Sequence, residues 1–351
     1  LARRRGRNEV FAGGAADAAY GELPAPGTAA AAVAETSLVA DERLDDLTTI
    51  EFVPPKGIAP WQAAALLSER FDGDTAVETF LSGMAGVEAL TFTDEGGKLV
   101  IASGPRLAEL GHDDRRLVDQ ILAIGDPLTT GSYDPKFATA WTNIAGELRA
   151  RLRSSGWWRH GNPADTLSAG GGGRFVAAFV VIAVFAFGAP LLGALTGGGW
   201  PAAIAFAVVV PAVVAWFAYR VLLPSRSAPG SALALRSESF RRFLDASEGR
   251  HVEWAWQQGL LREYSAWAVG LGEADAWSAA LARANVPAPE VRSAQGPLVV
   301  HRSGSALRRS RQRPAPTGGG SRGRSGSSGG SRTRVRSGGR RGGGGTRRGR
   351  W

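Results

Sequence analysis

The sequence predicts an α-helical membrane protein: a two-span transmembrane hairpin, with a small α+β cytoplasmic domain before it and a small helical module after it. Three observations predict this class. Residues 175–195 and 202–223 are apolar runs with no charge before Arg220, each long enough to cross roughly 30 Å of hydrocarbon at about 1.5 Å per residue. The linker between them, TGGGWP, has room only for a tight turn, so the spans would be antiparallel neighbours. Arginines precede the pair (Arg149, Arg151, Arg153, Arg159, Arg174) and follow it (Arg220, Arg226, Arg236, Arg241, Arg242), while the turn has none. That distribution places both flanks of the hairpin on the cytoplasmic side of a plasma membrane, multi-pass.

Within the spans, Pro190 and Pro211 are tolerable where neighbouring helices satisfy the freed carbonyls. Gly188, Ala189, Gly193 and Ala194 would permit close helix approach. Trp157, Trp158, Trp200, Trp216 and Tyr219 fall near the expected interfaces, where amphipathic rings settle.

Charge is unevenly placed. The chain is +9 overall, yet no Asp or Glu follows Glu290 and sixteen arginines do, so residues 1–290 carry −7. The basic character belongs to the end of the chain and gives no basic folded domain. Having no cysteine excludes a disulfide framework, a thiolate nucleophile and a Cys-ligated metal site.

Residues 1–47 open on LARRRGR, a basic run with no apolar stretch before it, and continue rich in Ala, Gly and Pro without a sustained period. They read as a flexible linker. A cationic run of this kind commonly lies just cytoplasmic of a transmembrane helix, so a further helix is expected upstream of Leu1.

Residues 48–160 read as the α+β domain. TTIEFVPP suggests a strand ended by Pro54 and Pro55, and Trp61 to Arg70 has helical composition. Thr75 and Glu78 fit a capping box that opens a helix through about Ala85. ALTFT and KLVIAS flank DEGG as a β-hairpin. Leu117, Val118, Ile121 and Leu122 mark another helix face. Helix, helix, hairpin, helix is compatible with a winged-helix-like unit, but the second helix carries no Arg or Lys to meet phosphate, which favours packing or protein binding over DNA. Asp134 and Pro135 are a strong helix start, followed by Phe137, Trp141, Ile144, Leu148 and Leu152 on one face. That helix is either a core helix or a membrane-surface helix leading to the first span.

Residues 235–286 read as the helical module, with Phe240, Phe243, Leu244, Trp254, Leu260, Leu261, Tyr264, Trp267, Leu271, Trp277 and Leu281 at helical spacings. RRRGRNEVFAG, FVPPKGIAPWQAAALLSE, the two apolar runs, SFRRFLDASEGRHVEW and REYSAWAVGLGEADAWSAAL, in that order, resemble the carboxy-terminal half of the bacterial predicted membrane proteins called domain of unknown function 2207. The resemblance covers most of residues 1–290 and rests on packing patterns. Where that family commonly has Gly before the β-hairpin this chain has Glu88, and where it usually has Pro this chain has Ala266. The resemblance implies an extracellular domain and another transmembrane helix upstream, and it implies no activity.

Residues 302–351 are Arg, Gly and Ser with almost no apolar content and read as a disordered tail. Such polycations attract RNA non-specifically or anionic inner-leaflet lipid, or act simply as an unspecialised solubilising tail.

No catalytic, cofactor-binding or metal-ligating residue emerges. His112, His160, His251 and His301 are scattered, Asp113, Asp114 and Glu273 sit in solvated or capping contexts, and Gly270-Leu-Gly272 is no phosphate loop. The sequence therefore points to a non-enzymatic membrane scaffold in contact with the lipid bilayer, its cytoplasmic modules binding protein partners. The alternative is a membrane-tethered nucleic-acid or anionic-lipid binder acting through the tail.

Overall fold

The computed structural model describes residues 7–11, 36–165 and 224–313. The first two strands, β1 (Arg7–Phe11) and β2 (Thr36–Ala40), pair antiparallel and lead into the short helix α1 (Asp41–Asp46). Both strands were expected to be linker. Their pairing joins segments far apart in sequence, and Val10 and Leu44 are buried with Leu235, so long-range contacts supply what local sequence lacks.

The strand expected at Thr48 to Pro55 does not form, because the segment has no partner strand and its two prolines lack ladder donors. Next come α2 (Pro60–Ser68) and α3 (Gly73–Gly86). The N-cap of α3 is Asp72, whose Oδ2 accepts from the Thr75 backbone N–H at 3.1 Å and the Thr75 hydroxyl at 2.6 Å. The helix thus starts one turn before the capping box expected at Thr75.

Strands β3 (Leu90–Glu95) and β4 (Lys98–Ser103) form the expected hairpin, closed by Gly96 and Gly97 with φ of 63° and 81°. Two consecutive positive-φ residues are what a two-residue loop between twisted strands needs. Helix α4 (His112–Leu122) follows, and β5 (Leu128–Thr129) adds a third strand beside β4. Helix α5 (Pro135–Arg153) starts as the sequence indicates: Asp134 Oδ1 accepts from the N–H groups of Lys136 and Phe137. Its stripe of Phe137, Trp141, Ile144, Leu148 and Leu152 is wholly buried, so α5 is a core helix and not a membrane-surface one.

Strands β6 (Trp158–His160) and β7 (Ser225–Arg226) pair across the gap in the described chain. Six helices then follow: α6 (Ala228–Asp245), α7 (Gly249–Gln257), α8 (Leu261–Leu271), α9 (Ala274–Arg283), α10 (Ala288–Arg302) and α11 (Gly304–Arg311). Helical structure therefore extends past residue 286 and into the stretch read as tail.

The two-span architecture needs correction. Both expected spans, 175–195 and 202–223, lie outside the described residues, and among the described residues no helix is long and apolar enough to cross a membrane. The two longest, α5 and α6, carry charge along their length, including Glu147, Arg149, Arg151 and Arg153 on one and Arg236, Glu238, Arg241 and Arg242 on the other. What is described is one helix-rich unit with small sheets. The regions before and after the apolar runs share a single core: α3 packs against α2, α5, α8 and α10, and one buried cluster contains Phe80, Leu81 and Leu148 together with Phe240, Tyr264, Trp277 and Leu298.

Candidate functional site

The residues singled out from the sequence are dispersed by the fold. His112 is solvated at the start of α4, its side chain 91 % exposed. His160 is exposed on β6. The Nδ1 of His251 accepts from the Glu248 N–H at 3.0 Å, closing a cap on α7. Asp114 accepts from Arg151 at 2.5 Å, and Glu273 accepts from Arg241 at 2.7 Å. Gly272 ends α8 with φ 81°, while Gly270 lets α8 approach α2: a Cβ there would lie 2.7 Å from the Pro60 Cβ. Among the described residues no group of three His, Cys, Asp or Glu could hold a metal ion.

The helix in the recognition position of a winged helix is α3, and it is central. Ala76, Val77, Thr79, Phe80, Leu81, Ser82, Met84 and Ala85 are all buried, leaving no face to enter a nucleic-acid groove.

Several arginines read as membrane-flanking charges are engaged inside the domain. Arg226 is 7 % exposed. Its guanidinium donates to Leu66 O at 2.8 and 3.2 Å, pairs with Glu69 at 3.0 Å and lies over the Trp158 ring. Arg241 joins Glu238 on α6 to Glu273 before α9, and these partners raise its pKa further above the ordinary guanidinium value. Nothing in the local sequence distinguishes these side chains from solvated arginines.

Two surface features remain. The first is the irregular segment after α1, where Ile50, Phe52 and Val53 are 57 %, 54 % and 48 % exposed. It is pinned rather than loose: the Tyr264 hydroxyl donates to Phe52 O, and the Phe52 ring meets Phe243 edge-on at 5.2 Å. Tyr264, itself buried, also lies 6.4 Å from Trp254 on α7, which is 39 % exposed. Burial pushes the Tyr264 phenol well above the ordinary tyrosine range, keeping it a donor.

The second feature is a polar cleft of about 310 Å³ between α3, α5 and α11, lined by Asp72, Asp74, Glu78, Trp141, Arg308 and Arg311 among others. Trp141 Nε1 donates to Asp74 Oδ1 at 3.1 Å, and Arg311 pairs with the same carboxylate. Glu78 faces His301 at 3.5 Å and holds the imidazole pKa above its ordinary value.

These features define a helix-rich domain with an apolar loop and a charged cleft. The chain belongs to the family described as "Predicted membrane protein (DUF2207) C-terminal domain", which matches residues 49–281, more than half of it. The family is thus one of predicted membrane proteins of unknown function, the one the sequence resembles. No curated protein and no solved structure gives a match.

Proposed function

We propose that the chain is a membrane-associated scaffold whose helix-rich domain binds a protein partner on the cytoplasmic side. The observation that carries this reading is the pinned loop presenting Ile50, Phe52 and Val53 to solvent. Clustered exposed apolar side chains on a well-packed domain are the usual mark of an interaction surface. Holding Phe52 by its carbonyl and ring lowers the entropy lost when a partner covers it. Cytoplasmic placement is supported by the arginines on either side of the uncharged runs, although several of these are paired within the domain.

The test is photo-crosslinking in living cells with benzoylphenylalanine at Phe52 or Val53, and at the exposed Asp113 as control. Protein adducts at the first two positions and none at the third are expected. Adducts only to lipid, or to nothing, would refute the reading. Deleting residues 314–351 should leave those adducts intact. Losing them would favour a nucleic-acid or anionic-lipid binder acting through the arginine-rich end. The cut must follow Arg313, because α11 belongs to the folded unit.

A further inference from the structure

Helix α11 is attached at few points. Leu307, 2 % exposed, is its one large buried apolar side chain, beside Ala306. The remaining attachments are polar. Gly131 N–H donates to Ser310 Oγ at 2.6 Å, Asp134 N–H donates to Ser310 O at 2.8 Å, and Arg309 Nη2 donates to Gly97 O at 3.1 Å. Arg311 pairs with Asp74 and stacks over Trp141, its guanidinium carbon 5.1 Å from the ring centre.

The sequence of α11, GSALRRSR, contains no acid, and its length is 8 residues. Isolated helices shorter than about 12 residues are marginal in water. Helicity here therefore depends on docking, and the segment can open locally without unfolding the domain. Beneath it lie Asp72, Asp74, Glu78 and the Trp141 ring. Leu307 and Arg311 are four residues apart, so one helix face offers an aliphatic group and a cation to that surface together.

We infer that α11 is a releasable strap held by one apolar anchor, a few hydrogen bonds and the Arg311–Asp74 ion pair, and that the face it covers on α3 and α5 accepts a basic amphipathic helix of a protein partner when the strap lifts. The strap is the template for that partner: an aliphatic residue followed four positions later by arginine, with no acid between. The carboxylates on this face make it a poor surface for nucleic acid or anionic lipid. Its lining shares no residue with the Phe52 loop or the side chains that pin it, so either surface can fail without the other.

The experiment is hydrogen–deuterium exchange on the full chain. Raising salt from about 0.05 M to about 0.5 M screens exposed charge pairs and should speed exchange of the α11 amides by about threefold while those of Phe80 and Leu148 stay protected. A peptide of residues 303–313 in excess at low salt should deprotect α11 similarly, and the same peptide with its arginines replaced by glutamine should not. Asp74→Lys and, separately, Arg311→Gln should each deprotect α11 without peptide. The second variant leaves α3 untouched, so it stays informative if the first fails to fold. Protection of α11 equal to that of α3 under every condition would overturn the strap, and equal displacement by the glutamine peptide would overturn its recognition by charge.

Discussion

Glu88 sits in the left-handed region, with φ 59°. It follows the last turn of α3, where Ala89 N–H donates to Met84 O at 2.9 Å and Glu88 N–H donates to Ala85 O at 3.2 Å. That pair of bonds is the Schellman arrangement, with Glu88 in the position that glycine normally takes. The same bonds end α7 at Gly259 and α8 at Gly272, both glycines with positive φ. A β-carbon in this conformation costs about 1 kcal/mol, whereas the half-exposed ion pair of Glu88 with Arg262 returns only a fraction of that. Glu88→Gly should therefore raise stability by about 0.5 kcal/mol, read as a higher urea midpoint with unchanged slope. Arg262→Ala measures the ion pair alone, and a lower midpoint for Glu88→Gly would show that the pair outweighs the strain. Gly104 leaves no such latitude: a Cβ there would lie 2.1 Å from Glu88 O.

At the scale of elements, side-chain spacing carried most of the information. The stripe on α5, the two-glycine hairpin and most helix-face residues after residue 235 are where periodicity placed them, Trp254 being exposed instead, because a buried face imposes its period on the sequence. The β1–β2 ribbon and α11 were not legible. One depends on pairing across a long separation, and the other has almost no apolar content and folds only against a partner surface. The contact between α10 and α3 shows how charge joins two helices. His301 on α10 faces Glu78 on α3 at 3.5 Å, with Asp275 in the first turn of α9 and Arg302 on its own helix also acting on it. Glu78 raises the folded-state pKa, so the stabilisation is complete below the ordinary histidine value and is lost as pH rises through the raised one. The imidazole is 48 % exposed, so solvent screening limits the effect to about 0.5 kcal/mol. Between about pH 5.5 and about pH 8.5, the urea midpoint should fall further for the native chain than for His301→Gln. Equal falls would remove His301 from the pH dependence.

For the whole molecule, the decisive fact is that one core draws on both sides of the apolar runs. Phe80 on α3 and Trp277 on α9 are buried in the same cluster. Phe80→Ala and Trp277→Ala should each lower one common unfolding transition by about 3–5 kcal/mol, with circular dichroism and tryptophan fluorescence tracing the same curve. Two separable transitions would restore a two-module arrangement. The sequence by itself determined the family, most helix faces, the hairpin turn and the absence of cysteine chemistry, because periodicity and composition are local properties. Only the tertiary structure decided that the flanking regions form one unit, that Arg226 and Arg241 serve internal ion pairs, and that α3 is a central helix with most of its side chains buried. Those outcomes depend on which residues meet across long separations, and a pattern of hydrophobic and charged positions specifies a face without naming what it will face.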